Sequence, residues 1–169
     1  MRYDVTLQRC GLSAVFDLKG AADALRNWAG DMLPPLPDHP NTRTGGGGVE
    51  LYHIGRKHWL ARAPLAQEEV LEAQLKPDAC PAEISIVRVS DTLSFFRITG
   101  PDASQVMAIA CPLDLHETVF GADAVTYSEL FGLKALVLRC EGGFECAVEQ
   151  SFGDMVEDYL TLSCRQKPV

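Results

Sequence analysis

The stretch HWLARAPLAQEEVLEAQL (58–75) lies over GFECAVEQSFGDMVEDYL (143–160) when one is displaced by 85 residues along the chain. Trp59 then falls on Phe144, Ala63 on Val148, Val70 on Met155, Leu71 on Val156 and Leu75 on Leu160. In both copies an alternating run, in which every second residue is apolar, gives way to apolar residues three and four apart. That change of period is the mark of a strand running into an amphipathic helix. Each copy is expected to pack its helix against an antiparallel sheet through the same positions. The fold class predicted is therefore α+β, a pseudo-duplicated single domain (1–169) whose two ferredoxin-like halves, about 1–80 and 81–169, share one core.

The rest of the chain fits this frame. Tyr3–Gln8 and Ser13–Leu18 read as strands, and Ala21–Met32 as a helix with Ala21, Ala24, Leu25 and Trp28 at helical spacing. Val49–Ile54, His58–Ala63, Ile84–Val89 and Leu93–Thr99 alternate as strands. So do Val125–Leu130, Leu133–Cys140 and Phe144–Glu149. Gly100-Pro101-Asp102 is expected to open a helix that buries Ala103, Val106, Met107 and Ala110 and ends at Pro112. Ser151 is expected to cap the last helix, whose apolar residues are Phe152, Met155, Val156, Tyr159 and Leu160. The element order predicted is ββαββα followed by ββαβββα. Between the first helix and the third strand, LPPLPDHPNTRTGGGG (33–48) carries four prolines and a run of four glycines. It predicts a mobile surface loop without regular structure. It is no phosphate cradle, because no Lys-Ser/Thr pair and no helix start follow the glycines.

The totals narrow the function. With 169 residues the chain can bury an ordinary core without a metal or disulfide. A net charge of −8 with scattered Lys and Arg is the wrong field for nucleic acid or an anionic membrane surface. No apolar run reaches the ~20 residues of a membrane span. The opening MRYDVTLQRC reads as a strand rather than an export signal, so the expected location is the cytoplasm. There the cysteines at 10, 80, 111, 140, 146 and 164 stay reduced; no CxxC pair is present and no metal site is expected.

Cys111 precedes Pro112 at a helix C-terminus, where the dipole end disfavours a thiolate, and its neighbours Ala110 and Leu113 are apolar. It is read as a buried structural thiol. His53 and His58 flank a hairpin turn and are placed to face each other across it. Glu68, Glu69, Glu72, Glu157 and Asp158 belong to the polar faces of helices. Asp114, between leucines in CPLDL, is read as an acceptor for turn backbone amides, its removal costing about 1–3 kcal/mol. No catalytic residue is assigned, and no cofactor-binding residue is identified.

Three pieces carry a family resemblance. VSDTLSFFRITGPDASQVMAIACPLDL (89–115), IGRKHWL (54–60) and FECAVEQSFGDMVEDYL (144–160) resemble the gamma subunit of heterotetrameric sarcosine oxidase. That family sits within the folate-binding group related to the glycine-cleavage aminomethyltransferase. RCGLSAVFDLKG (9–20) matches more loosely. The motif residues are Trp59, Gly100, Pro101, Cys111, Pro112, Leu113, Asp114, Leu115, Ser151 and Phe152, all in structural roles. The resemblance implies an aminomethyltransferase-like, folate-binding-like fold and an accessory chain without catalytic residues. Its complex would demethylate sarcosine oxidatively to glycine and pass the one-carbon unit to tetrahydrofolate. FAD, FMN, NAD and tetrahydrofolate would belong to the partner alpha, beta and delta subunits, and the isolated chain would self-associate or be less stable than with its partners. The alternative is a stand-alone folate-binding aminomethyltransferase-like protein. Gln150, where the family often has Arg, and Tyr159, near a common Trp, depart from the pattern.

Overall fold

The computed structural model describes residues 2–165. In chain order the elements are β1 (Thr6–Arg9), β2 (Ser13–Gly20), α1 (Ala22–Ala29), β3 (Arg43–Gly46), β4 (Val49–Gly55), β5 (His58–Pro64), α2 (Glu68–Leu75), β6 (Ile84–Arg88), β7 (Leu93–Thr99), α3 (Ala103–Ala110), β8 (Val125–Leu130), β9 (Leu133–Cys140), β10 (Gly143–Glu149) and α4 (Gly153–Arg165). The class is α+β, with two antiparallel five-stranded sheets. The chain divides into two compact units. One is Leu12–Ser90; the other joins the residues up to Gly11 to those from Asp91 onward. The units part at Gly11/Leu12 and Ser90/Asp91, because β6 pairs with β2 while β1 pairs with β7.

In the unit Leu12–Ser90 the sheet order is β3-β4-β5-β2-β6. Without the edge strand β3 this is the ferredoxin-like order, a βαββαβ unit whose first and third strands lie at the centre. Ala14, Phe16 and Leu18 of β2 and Trp59, Ala61 and Ala63 of β5 share one face of the sheet. They form a core with Leu25 and Ala29 of α1 and Leu71 and Leu75 of α2. The Trp28 indole N–H donates to the Leu75 carbonyl at 2.6 Å and ties the two helices together.

In the other unit the order is β1-β7-β10-β9-β8. Here β1 lies beside β7 with Thr6 opposite Thr99 and Arg9 opposite Phe96. The Asp4 amide donates to the Asp102 carboxylate at 2.8 Å, and the Tyr3 amide to the Cys164 carbonyl at 3.3 Å. Phe96, Ile98, Phe144, Cys146 and Val148 of the sheet pack against Val106 and Met107 of α3 and Val156 and Leu160 of α4. The helix expected to bury Ala103, Val106, Met107 and Ala110 does so.

Several expectations change. Residues 33–48 are not without regular structure: Arg43–Gly46 pairs with Val49–Tyr52, and Leu33 and Leu36 are buried. Glycine lacks a side chain to pack but keeps its backbone N–H and C=O, which are what an edge ladder needs. Pro101 and Asp102 precede α3, which starts at Ala103 and has no side-chain cap. Ser151 lies in a 3-10 turn, Gln150–Phe152, ahead of α4 and does not cap it. Val70 and Met155, aligned in the repeat, both point outward, so the shared packing positions are Leu71 with Val156 and Leu75 with Leu160.

Burial pushes the Cys146 thiol well above its ordinary value of 9.0, with Cys111 a lesser cause. The native state therefore holds the proton that the unfolded chain releases. Stability from this group is fully present below about pH 9 and is lost as pH rises from there toward the folded pKa, by up to about 1.4 kcal/mol per pH unit. Melting curves across this range should show that slope, and Cys146→Val should flatten it.

Candidate functional site

The CPLDL loop is built on the end of α3. The Cys111 amide donates to the Met107 carbonyl at 2.8 Å, closing the helix, while the residue itself is extended (φ −129°, ψ 131°). Its buried thiol has the Ser128 hydroxyl at 4.0 Å. Pro112 is exposed, Leu113 packs partly against the core, and Leu115 is buried. Asp114 is exposed, and its Oδ1 accepts the His116 amide at 3.0 Å. Behind the loop stands Arg139. Its Nε donates to the Phe120 carbonyl at 2.6 Å, its Nη2 donates to the Leu115 carbonyl, and its guanidinium lies 4.7 Å from the centre of the Phe144 ring.

A single cation thus holds both ends of the segment Leu115–Phe120. Sequence reasoning missed it, although a signal was present. Ala135 and Val137 face the core, so strand alternation gives Arg139 the same inward side. The loop borders a cavity of about 450 Å³ lined by Ser104, Leu113, Asp114, His116, Glu117 and Arg139. Within it the carboxylate of Asp114 is solvated, and His116 Nδ1 meets the Thr118 hydroxyl at 2.8 Å.

Two consequences are measurable by thermal melting. Arg139→Met should cost about 2–3 kcal/mol, because it releases two carbonyls from charge-assisted bonds. Asp114→Ala should cost less than about 1 kcal/mol, below the sequence expectation. It frees one amide at an exposed site where water replaces the carboxylate.

The other motif residues lie elsewhere in their units. Gly100 has φ +125°, and a Cβ there would come within 2.6 Å of the Asp4 carbonyl oxygen, so the position excludes a side chain. His53 stacks on Trp59, with ring centres 4.9 Å apart, while His58 pairs with Asp17 at 2.6 Å. The two histidines do not face each other: His53 sits opposite Trp59 in the register, which puts His58 on the other side of the strand.

Along α4, Met155, Tyr159 and Leu162 are exposed at 37, 43 and 55%, and Phe152, in the 3-10 turn ahead of it, at 38%. At ~100° per residue the three α4 residues span an arc of about 60°, next to the buried Val156 and Leu160. The Tyr159 ring meets Phe131 edge-on at 5.3 Å. On the same helix, Asp154 and Glu157 accept from Arg9 at 2.7 and 3.0 Å and hold its guanidinium more firmly protonated. Arg9 also donates to the Ser94 hydroxyl at 3.3 Å, which in turn meets Gln150 Oε1. Among the described residues no three or more His, Cys, Asp or Glu side chains are grouped to hold a metal ion. No helix of the described residues is long and apolar enough to cross a membrane.

No protein-family model matches the sequence, and no curated protein matches it. Solved structures do. A chain of heterotetrameric sarcosine oxidase from Corynebacterium sp. U-96 is similar with TM-score 0.80 and 21% identity, over 98% of this chain and 88% of that one. Glycine cleavage system aminomethyltransferase T from Bartonella henselae is similar with TM-score 0.69 and 16% identity, over 94% of this chain but 46% of that one. At these identities the likeness is one of fold, an α+β arrangement shared with a chain of a heterotetrameric sarcosine oxidase and with part of an aminomethyltransferase.

Proposed function

We propose that this chain is an accessory, gamma-type subunit of an oxidase complex that demethylates sarcosine, or a closely related N-methyl amine. The one-carbon unit passes to tetrahydrofolate. FAD, FMN, NAD and tetrahydrofolate are bound by the alpha, beta and delta partners, and this chain contributes no catalytic residue. The observation that carries the reading is the fold likeness to a chain of a heterotetrameric sarcosine oxidase, with TM-score 0.80 over 98% of this chain. The exposed apolar stripe on α4 supports a life in a complex, since exposed apolar patches mark interaction surfaces.

The two units are read as duplicates. In each, the ferredoxin-like order is extended by one edge strand, β3 or β8, beside the first strand of its hairpin, β4 or β9. In each, a positive-φ glycine, Gly20 or Gly100, is pressed against the outermost strand beside it. Pro64 and Glu149, 85 residues apart, share φ −53° and ψ 139° before their helices.

Co-expression with flavoprotein subunits of such an oxidase tests the reading. The chain should co-purify with them in fixed stoichiometry and melt higher than it does alone. Failure to co-purify, together with micromolar tetrahydrofolate binding by the isolated chain in calorimetry, would replace it with the transferase reading.

A further inference from the structure

The outward face of α4 consists of Asp154, Met155, Asp158, Tyr159, Leu162 and Arg165, all of them exposed. Beside the apolar stripe, Asp154, Asp158 and Arg165 share one flank, within about 40° of each other at ~100° per residue. The charges on that flank are ordered along the helix. Both carboxylates lie in its first half, and the guanidinium is on its last residue. Asp158 and Arg165 form no ion pair among the described residues. Asp154 accepts from Arg9, yet its side chain stays 94% exposed, which leaves it room for a second donor.

This face is complementary to a reversed copy of itself. A two-fold axis crossing α4 level with Leu160 sets Arg165 level with Met155 of the other copy, between that copy's Asp154 and Asp158. Leu162 then lies within about 1.5 Å, along the axis, of the other copy's Tyr159. Each such contact occurs twice, as an isologous interface requires, and the two helix dipoles oppose. A parallel pair would carry the charged flanks to opposite sides of the contact, where no guanidinium meets a carboxylate. The Tyr159 ring is already braced edge-on by Phe131, so less freedom is lost on contact.

We propose that the free chain forms a homodimer through two antiparallel α4 helices, with Met155, Tyr159 and Leu162 at the centre and Arg165 between Asp154 and Asp158 of the other copy. One helix pair buries less than the ~1,200 Å² of a standard interface, so the dimer is a reversible, micromolar one. The pairing does not rest on the subunit reading: a flavoprotein subunit that covers α4 would displace the second copy.

Sedimentation equilibrium on the full chain, from about 1 μM to 1 mM, tests it. The parent chain should show a monomer–dimer equilibrium, and Leu162→Glu should stay monomeric throughout. Arg165→Glu and Asp158→Arg should each weaken the dimer by about tenfold or more, because each sets like charges together at both ends of the contact. Asp158 is chosen over Asp154 so that the Arg9 pair is kept. Mixed in equal amounts, these two variants should recover association, since in the mixed dimer Glu at 165 meets Arg at 158 and Arg165 meets Asp158. All three substitutions lie on the exposed face, and melting temperatures near the parent's would confirm that the fold is kept. A parent chain that stays monomeric, a dimer that survives Leu162→Glu, or charge variants that do not associate when mixed would overturn the proposal. In the first case, co-purification with flavoprotein subunits would give the face to them instead.

Discussion

Gly143→Ala is expected to lower stability by about 3 kcal/mol or more, a fall in melting temperature of roughly 6–12 °C for a chain of this size. Gly143 begins β10 between two neighbours, opposite Thr99 of β7 and Cys140 of β9. A Cβ placed there would lie 2.1 Å from the Ile98 carbonyl oxygen and 2.9 Å from the Thr99 Cα. Both are backbone atoms of a paired strand, so no side-chain rotation relieves the overlap, and β7 and β10 must part at the middle of the sheet. Gly11→Ala is the control. A Cβ at Gly11 meets nothing within 4 Å, and its melting temperature should stay near that of the parent protein. A near-neutral Gly143→Ala would mean that the β7–β10 pairing is looser than the geometry requires.

The second large effect concerns assembly. Met155→Glu combined with Tyr159→Glu should weaken association with the flavoprotein subunits by about a hundredfold or more. Carboxylates at the centre of an apolar contact lose their water without gaining a partner. The same double variant, alone, should keep its melting temperature within a few degrees. Both side chains are more than a third exposed, and the packing of α4 rests on Val156 and Leu160. Pull-down and melting on one preparation separate the outcomes. If the parent chain assembles and the double variant assembles equally well, the α4 stripe is not the contact face. If the parent chain fails to assemble, the subunit reading itself falls.

The residues around these two predictions differ in how legible they were. The strand-to-helix change of period at 58–75 and 143–160 anticipated β5, α2, β10 and α4, and the stripe from Ala103 to Ala110 anticipated α3. Such elements are stabilised by contacts within one helix turn or one strand, so their pattern is written locally. Arg139 was not foreseen, because its two carbonyl partners come together only when the loop after Pro112 closes back on β9.

The sequence by itself determined the α+β class, the positions of most helices and strands, and the acidic character that argues against a nucleic-acid surface. Those properties follow from composition and from periodicity over a few residues. The tertiary structure alone decided three further things. It brought β1 to β7 across 87 to 93 residues, a pairing made of backbone bonds that carry no residue code. It made a strand of the Thr-Gly run at 43–46 for the same reason. Finally, it divided the apolar arc of α4 into the buried Val156 and Leu160 and the exposed Met155, Tyr159 and Leu162. All five fall on one broad arc of the helix, and its period says that they form a face but not how wide the groove beneath it is. Only the packed sheet fixes that width, and with it the surface left for another chain.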